Sequence, residues 1–196
     1  MAQARHPTFI RSQRLMFNRL NERLQQWGFS WEGLRDNRHG EWWVLAQMLL
    51  IFAHALPPTP PPAVLGMPWP LVLCLIGGFT LVLGLVLAAQ AALNLGDSLT
   101  PLPEPMPGAP LVTVGAYARC RHPLYQALLI CSLGVALALG SLLHLGLLLA
   151  LATLLSFKAR REERRLCVLH SDYADSMGST PAIVPLLPGL DWRVAP

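Results

Sequence analysis

The sequence predicts an all-α integral membrane helical bundle with about four transmembrane helices. The last two form a C-terminal helical hairpin, and an amphipathic helix precedes the first. Three observations predict this class. Hydrophobic residues make up 53% of the 196 residues and charged residues only 13%, about half the charged share of a soluble domain. The apolar residues gather into long blocks with polar residues at the block ends. The basic residues are placed so that four spans put all of them on one side. Seven Arg precede Trp42, Arg119 and Arg121 lie in the 96–123 loop, and Lys158 with five Arg follows the last apolar block, whereas 57–69 and 140–145 hold none. Three or five spans would send a basic block to the far side. The positive-inside rule makes the basic side cytoplasmic, so both termini are expected there. The net charge of +4 is then membrane-flanking charge, with no nucleic-acid partner implied. The use of 14 Arg and one Lys fits a GC-rich genome, and the expected location is a bacterial inner membrane.

Residues 8–27 set Phe9, Leu15, Met16, Leu20, Leu24 and Trp27 at mostly three- or four-residue steps, with Arg11, Arg14, Arg19 and Arg23 between them. Such a helix suits an anionic membrane surface, or packing on the rest of the protein. No signal peptide is expected, because the first 40 residues lack an apolar core. The first span is expected from Trp42 to Leu56, ended by a stiff linker containing Pro57, Pro58, Pro60, Pro61 and Pro62. Gln47 and His54 lie seven apart and share a helix face, expected to point into the bundle. The second span runs from about Pro70 to Leu95, with Gly77, Gly78 and Gly84 available for close helix approach.

Leu124 to Phe157 is an apolar stretch of 34 residues. As one helix it would reach about 51 Å, too long for a hydrocarbon core of about 30 Å. Gly140-Ser141 near its middle is the expected turn between spans of roughly 123–139 and 142–158. His144 falls at that far turn and is expected to be structural. Four cysteines, Cys74, Cys120, Cys131 and Cys167, show no metal or redox spacing and are expected as free thiols, and no metal site is expected.

The residues that suggest chemistry sit at the ends of this hairpin. Arg121-His122-Pro123-Leu124-Tyr125 opens it and Glu162-Glu163 follows it. Polar clusters so close to a membrane are expensive unless they serve a site. Pro123 suits the first turn of the third span, which sets Arg121 and His122 at a helix N-terminus, where backbone N–H groups favour an anion. A hairpin returns both clusters to the same face, so they are expected to converge on one ligand carrying both charges, such as an amino acid moiety. Arg160, Arg161, Arg164 and Arg165 are expected to form a headgroup-facing stripe, and His170 to be exposed.

Gly115-x-Tyr117, Arg121-His122-Pro123-x-Tyr125, the hydrophobic hairpin and Glu162-Glu163 together resemble the isoprenylcysteine carboxyl methyltransferase family and its phospholipid methyltransferase relatives. Leu95-Gly96, Thr100-Pro101, Tyr173 and Pro185 extend the resemblance over about residues 90–188. It implies S-adenosyl-L-methionine as methyl donor, with Tyr117, Arg121, His122, Pro123, Tyr125 and Glu163 in cofactor binding. Glu162, Glu163 and Arg121 are implied as catalytic. The implied acceptor is a lipophilic small molecule or prenylated substrate entering from the lipid bilayer, first a prenylcysteine-type carboxylate and otherwise a lipid amine. The chain then divides into an N-terminal cytoplasmic segment (1–41), two transmembrane helices (42–95) and a methyltransferase-like region (96–196). Departures from the family pattern are Ser176 where a second Tyr is common, Gly178-Ser179-Thr180 where basic residues are common, and Gln126-Ala127 after Tyr125. Two other readings stand beside it. The steroid 5-alpha-reductase type has a similar corner and uses NADPH, but usually follows the Tyr with Gly-Glu. A non-enzymatic or haem-associated membrane protein would draw on His54 and His144.

Overall fold

The structure, a computed structural model, describes residues 31–106 and 108–193. The amphipathic helix expected over 8–27 lies outside the described residues. These fold into helices and loops with no strand among them. A short helix α1 (Trp31–Asp36) leads into α2 (Glu41–Ala53). Then come α3 (Leu71–Leu95), α4 (Pro123–Leu139), α5 (Leu142–Leu169) and the short α6 (Tyr173–Met177). Two segments, Leu71–Ser98 and Leu142–Leu169, are long and apolar enough to cross a membrane, while α2 and α4 are shorter apolar helices. At 1.5 Å per residue α3 spans about 37 Å and α2 only about 20 Å.

The first span ends earlier than the expected Leu56. After Ala53 the backbone tightens into successive three-residue turns, with the N–H groups of His54, Ala55 and Leu56 donating to Ile51, Phe52 and Ala53. The Pro57-Pro58 pair that follows disfavours further α conformation. The hairpin turn falls where expected. Gly140 adopts a left-handed conformation at φ 56° and ends α4, and Ser141 follows it before α5. A side chain at Gly140 would collide with the Trp69 ring. Ser141 Oγ accepts the Thr59 N–H at 3.0 Å, which ties the turn to the Pro-rich linker.

Helices α3 and α4 cross at small residues. Gly77 and Gly84 lie on one face of α3. A Cβ at Gly84 would sit 2.6 Å from Cys131 Sγ, and one at Gly134 2.6 Å from the Leu81 nitrogen. Backbones this close are a usual solution where lipid offers no hydrophobic drive between helices. Gly78, also expected to thin α3, faces open space instead.

The apolar interior is small and centres on Leu129, Leu151, Leu155, Ala159 and Ile183. The apolar exterior is large: Leu71 is 72% exposed, Phe79 65% and Leu85 57%. Soluble monomers rarely show such continuous apolar faces; against lipid tails they are the ordinary exterior. Ile183 belongs to the tail, which returns after α6 and packs back onto the bundle. There the Asp191 carboxylate accepts the Ala182 and Leu186 N–H groups at 3.1 and 3.0 Å. All four cysteines are free.

Candidate active site

The two charged clusters of the hairpin do meet, and they meet each other. Pro123 starts α4 with φ preset and no N–H to satisfy, leaving Arg121 and His122 just before the helix. Glu162 and Glu163 lie on α5 beyond its apolar part. Arg121 Nε donates to Glu163 Oε1 at 2.7 Å, and His122 Nε2 lies 2.9 Å from the same oxygen. A carboxylate only accepts, so this His nitrogen carries the proton. Trp192 Nε1 donates to Glu163 Oε2 at 2.6 Å. Arg121 further donates to the carbonyls of Met177, Thr180 and Trp192. Its side chain is fully buried, and a buried guanidinium is tolerable only when paired and hydrogen-bonded in this way.

This knot corrects the expectation that both clusters turn their charges onto a ligand. Both oxygens of Glu163 and most N–H groups of Arg121 are spent on holding α4, α5 and the tail together. The backbone N–H groups of Arg121 and His122, expected to face an anion, donate instead to Pro181 and Ala182. Neither glutamate pairs with its own helix's arginines. Arg160 stacks on Trp192, its guanidinium 4.1 Å from the ring centre. Arg161 and Arg165 reach toward Glu104 at 3.7 and 3.3 Å. Of the four, Arg164 is the one with no such contact among the described residues, and it is exposed as the expected stripe would be.

Glu162 differs from its neighbour. Its Oε2 accepts the Tyr125 hydroxyl at 2.8 Å and lies 3.8 Å from His122 Nδ1. Its Oε1 has no partner among the described residues. The rings of His122 and Tyr125 stack, 5.3 Å apart and nearly parallel. Beside Glu162 opens a cleft whose walls include Tyr117, Arg121, His122, Tyr173 and Met177, with Pro105, Met106 and residues 109–112 on its other side. Neither Tyr117 nor Tyr173 hydrogen-bonds through its hydroxyl within the described residues. Burial, reinforced by the charge of Glu162, pushes the Tyr117 phenol well above its usual range. Burial and the charge of Glu163 do the same for Tyr173. Both stay neutral and able to donate. Burial also raises the Cys120 thiol to about 11, so it remains a thiol, donating to the Ala182 and Ile183 carbonyls.

Of the residues singled out in the sequence, Tyr117, Arg121, His122 and Glu162 line the cleft. Tyr125 and Glu163 stand behind that wall, and Pro123 is buried at the helix start. His170, expected to be exposed, is half-buried and lines the cleft. Trp192 and Met177 were not foreseen. Lys158, expected among the basic residues that flank the last span, is 1% exposed. Its Nζ donates to Gln47 Oε1 at 2.6 Å and to the Pro101 carbonyl at 2.8 Å, tying α2 and the 96–122 loop to α5. His54, on the opposite half of the bundle, has both ring nitrogens engaged, by the Leu50 carbonyl and Ser132 Oγ.

A bundle with a lipid-type exterior and a charged, partly open cleft among the described residues defines a helical membrane protein. The family model for phospholipid methyltransferase matches residues 72–171, slightly more than half of the chain, and the chain belongs to that family of membrane methyltransferases. The matched stretch holds α3, the Arg-His-Pro corner, the hairpin and both glutamates, and stops before Tyr173 and Trp192. No curated protein and no solved structure matches the chain.

Proposed function

We propose that this chain is an S-adenosyl-L-methionine-dependent methyltransferase with its donor in the cleft beside Glu162. The acceptor would be a lipid amine reaching the site from the bilayer. The observation that carries the reading is the unequal state of the two glutamates. Glu163 is saturated by Arg121, His122 and Trp192, while Glu162 keeps one oxygen open at the cleft. The open oxygen, the two unengaged tyrosine hydroxyls and the aromatic walls suit an ammonium group and a sulfonium, both cations. Bound there, the donor supplies an electrophilic methyl group.

The remaining work falls to the chain's own residues. Methyl transfer is an in-line displacement, so alignment and exclusion of water matter most. The knot fixes the cleft wall, and the Pro-rich loop lines its other side. An amine acceptor must lose a proton before or during transfer, and Glu162 is the carboxylate positioned to take it. A carboxylate acceptor, as in the prenylcysteine reading, needs no base. It would face Glu162 with no unpaired cation in the cleft to offset the repulsion, because Arg121 is already committed. We extend the proposal to the region 96–196 as the catalytic unit and to a cytoplasmic site, following the positive-inside argument.

The test is calorimetric binding of S-adenosylmethionine and S-adenosylhomocysteine to detergent-purified protein. Labelled-methyl transfer to phosphatidylethanolamine and to a prenylcysteine acceptor follows. Glu162→Gln should weaken donor binding roughly tenfold or more, the scale of one charge-assisted hydrogen bond, while thermal stability stays within about 1 kcal/mol. Failure of folded wild type to bind either molecule would sink the reading. Transfer to prenylcysteine alone would leave the donor site standing and replace the amine by the carboxylate.

A further inference from the structure

The Gly115–Ala118 turn has two sides. Tyr117 lines the cleft, whereas Gly115, Ala116 and Arg119 line a separate pocket completed by Gln90 and Asn94 of α3 and Gln126 of α4. We propose that this second pocket binds the phosphate of a glycerophospholipid, whose acyl chains lie along the lipid-facing side of α3. The proposal is independent of the methyl-transfer reading.

The sequence of α3 already points there. Apart from Thr80, Gln90 and Asn94, the helix carries only apolar side chains, glycine and Cys74. Thr80 satisfies itself by donating to the Ile76 carbonyl. Gln90 and Asn94 lie four apart, hence on one face, and in the last turns of the span, where headgroups begin. Leu93 beside them is 81% exposed, so this end of α3 meets lipid. Polar groups at that depth need partners, and the protein supplies few. Asn94 Oδ1 accepts the Ala116 N–H at 2.9 Å, which turns its NH2 group outward as a donor. This approach requires Gly115, at φ +65°, because a Cβ there would sit 2.5 Å from Asn94 Oδ1.

The amides of Gln90 and Gln126 and the guanidinium of Arg119 make no hydrogen bond or ion pair among the described residues. No carboxylate lines the pocket. Its unpaired polar groups are therefore one cationic fork and three amides, with no opposing negative charge. A guanidinium matches two phosphate oxygens at once, and amide N–H groups complete the shell. A phosphate held by acyl chains to the same depth is the anion this geometry suits. The two arginines of the 96–123 loop thus divide the work: Arg121 is locked inside the protein and Arg119 is left open toward lipid.

The experiment is native mass spectrometry of the detergent-purified full chain with phosphatidylglycerol, phosphatidylethanolamine, diacylglycerol and inorganic phosphate as separate probes. Both phospholipids should remain bound where diacylglycerol does not. Arg119→Ala should lower their occupancy about tenfold, the loss expected for a charge-assisted contact. Arg119→Lys should retain an intermediate level, because the charge stays and the fork is lost. Should Arg119→Ala misfold, Gln90→Leu carries the same prediction with a smaller drop. Equal retention of diacylglycerol, or unchanged phospholipid occupancy in whichever of these two variants folds, would overturn the proposal. Inorganic phosphate binding that phospholipid fails to displace would overturn the lipid as its source.

Discussion

Two polar centres at opposite ends of the bundle solve the same problem differently. At the far end His54, His144 and Ser132 form a polar cluster that holds no carboxylate and no Lys or Arg. His54 Nδ1–H donates to the Leu50 carbonyl at 2.7 Å, and Nε2 lies 2.5 Å from Ser132 Oγ. His144 Nε2 donates to the His54 carbonyl at 3.3 Å. The bonds to Ser132 and from His144 join one helix to another, the bond to Leu50 stays within the end of α2, and within this cluster His144 Nδ1 is left buried without a partner. At the near end Arg121, His122, Glu163 and Trp192 form a charged knot that joins α4, α5 and the tail, and it leaves an open carboxylate and two open phenols beside it. Neutral polar pairs are enough to order helices in lipid, where each is worth about 1 kcal/mol. Buried charges cost far more to assemble, and a site repays that cost only where some of the polarity stays available to a ligand.

The largest way to break the contrast is Glu163→Ala. It leaves the Arg121 guanidinium buried without its carboxylate, and removing one partner of a buried pair typically costs about 3–5 kcal/mol. Unfolding in mixed micelles should show a loss of that size, together with loss of donor binding as the cleft wall loosens. A loss below about 1 kcal/mol would mean that the knot is not closed in the native protein. Glu163→Gln should recover part of the stability, because an amide oxygen can still accept from Arg121.

Lys158→Met comes next. It removes two charge-assisted hydrogen bonds, to Gln47 and Pro101, and strands both acceptors, but it also relieves the burial of a charge. These oppose each other, and a net destabilisation of about 2 kcal/mol is expected. The consequence should be local: faster proteolysis in the α2–α3 linker and the 96–122 loop, with the hairpin intact. Uniform protection equal to wild type would show that Lys158 does not tether α2.

Ser132→Ala tests the far end. It strands His54 Nε2 and should cost about 1 kcal/mol while leaving donor binding at the other end unchanged. A drop in binding as large as that of Glu162→Gln would erase the distinction between the two centres.

The sequence makes legible what depends on composition and local conformation. The lipid-type exterior follows from the apolar blocks, the hairpin from a 34-residue run that is too long for one span, and its turn from Gly140. The convergence of Arg121 and Glu163 follows from the hairpin. What stays hidden is tertiary. Lys158 at the end of an apolar run looks like a headgroup anchor, and nothing nearby tells that Gln47, 111 residues away, claims it. Trp192 sits in a loop of Pro, Gly and Leu, and its part in the knot joins a backbone carbonyl that any residue would provide to an indole N–H that reaches Glu163 only because the tail folds back. The roles of Glu162 and Glu163 cannot be separated from adjacent identical letters. A helix turns about 100° per residue, and it is the tail packing against one side of α5 that saturates one carboxylate and leaves the other open.

That tail is the part of the charged end most exposed to pH. Asp191 accepts the N–H groups of Leu186 and Ala182, and these two bonds hold its carboxyl below the usual carboxylate range. A carboxyl depressed on folding contributes its stabilisation fully above the unfolded value of about 3.9. It loses that contribution as pH falls through the folded value. The tail loop should therefore be steady from neutral pH down to about 5 and loosen below about 4. Trp192, next to Asp191 and seated on Arg160, reports this directly. Its fluorescence should step on acid titration, and Asp191→Asn should remove the part of the step that belongs to Asp191 while leaving whatever Glu163 contributes. This is the smallest of the four effects, because Asp191 lies at the surface and solvent screens its charge. An identical acid step in wild type and Asp191→Asn would mean that the tail is held by Glu163 and Trp192 alone, and that the charged end of the bundle depends on one carboxylate rather than two.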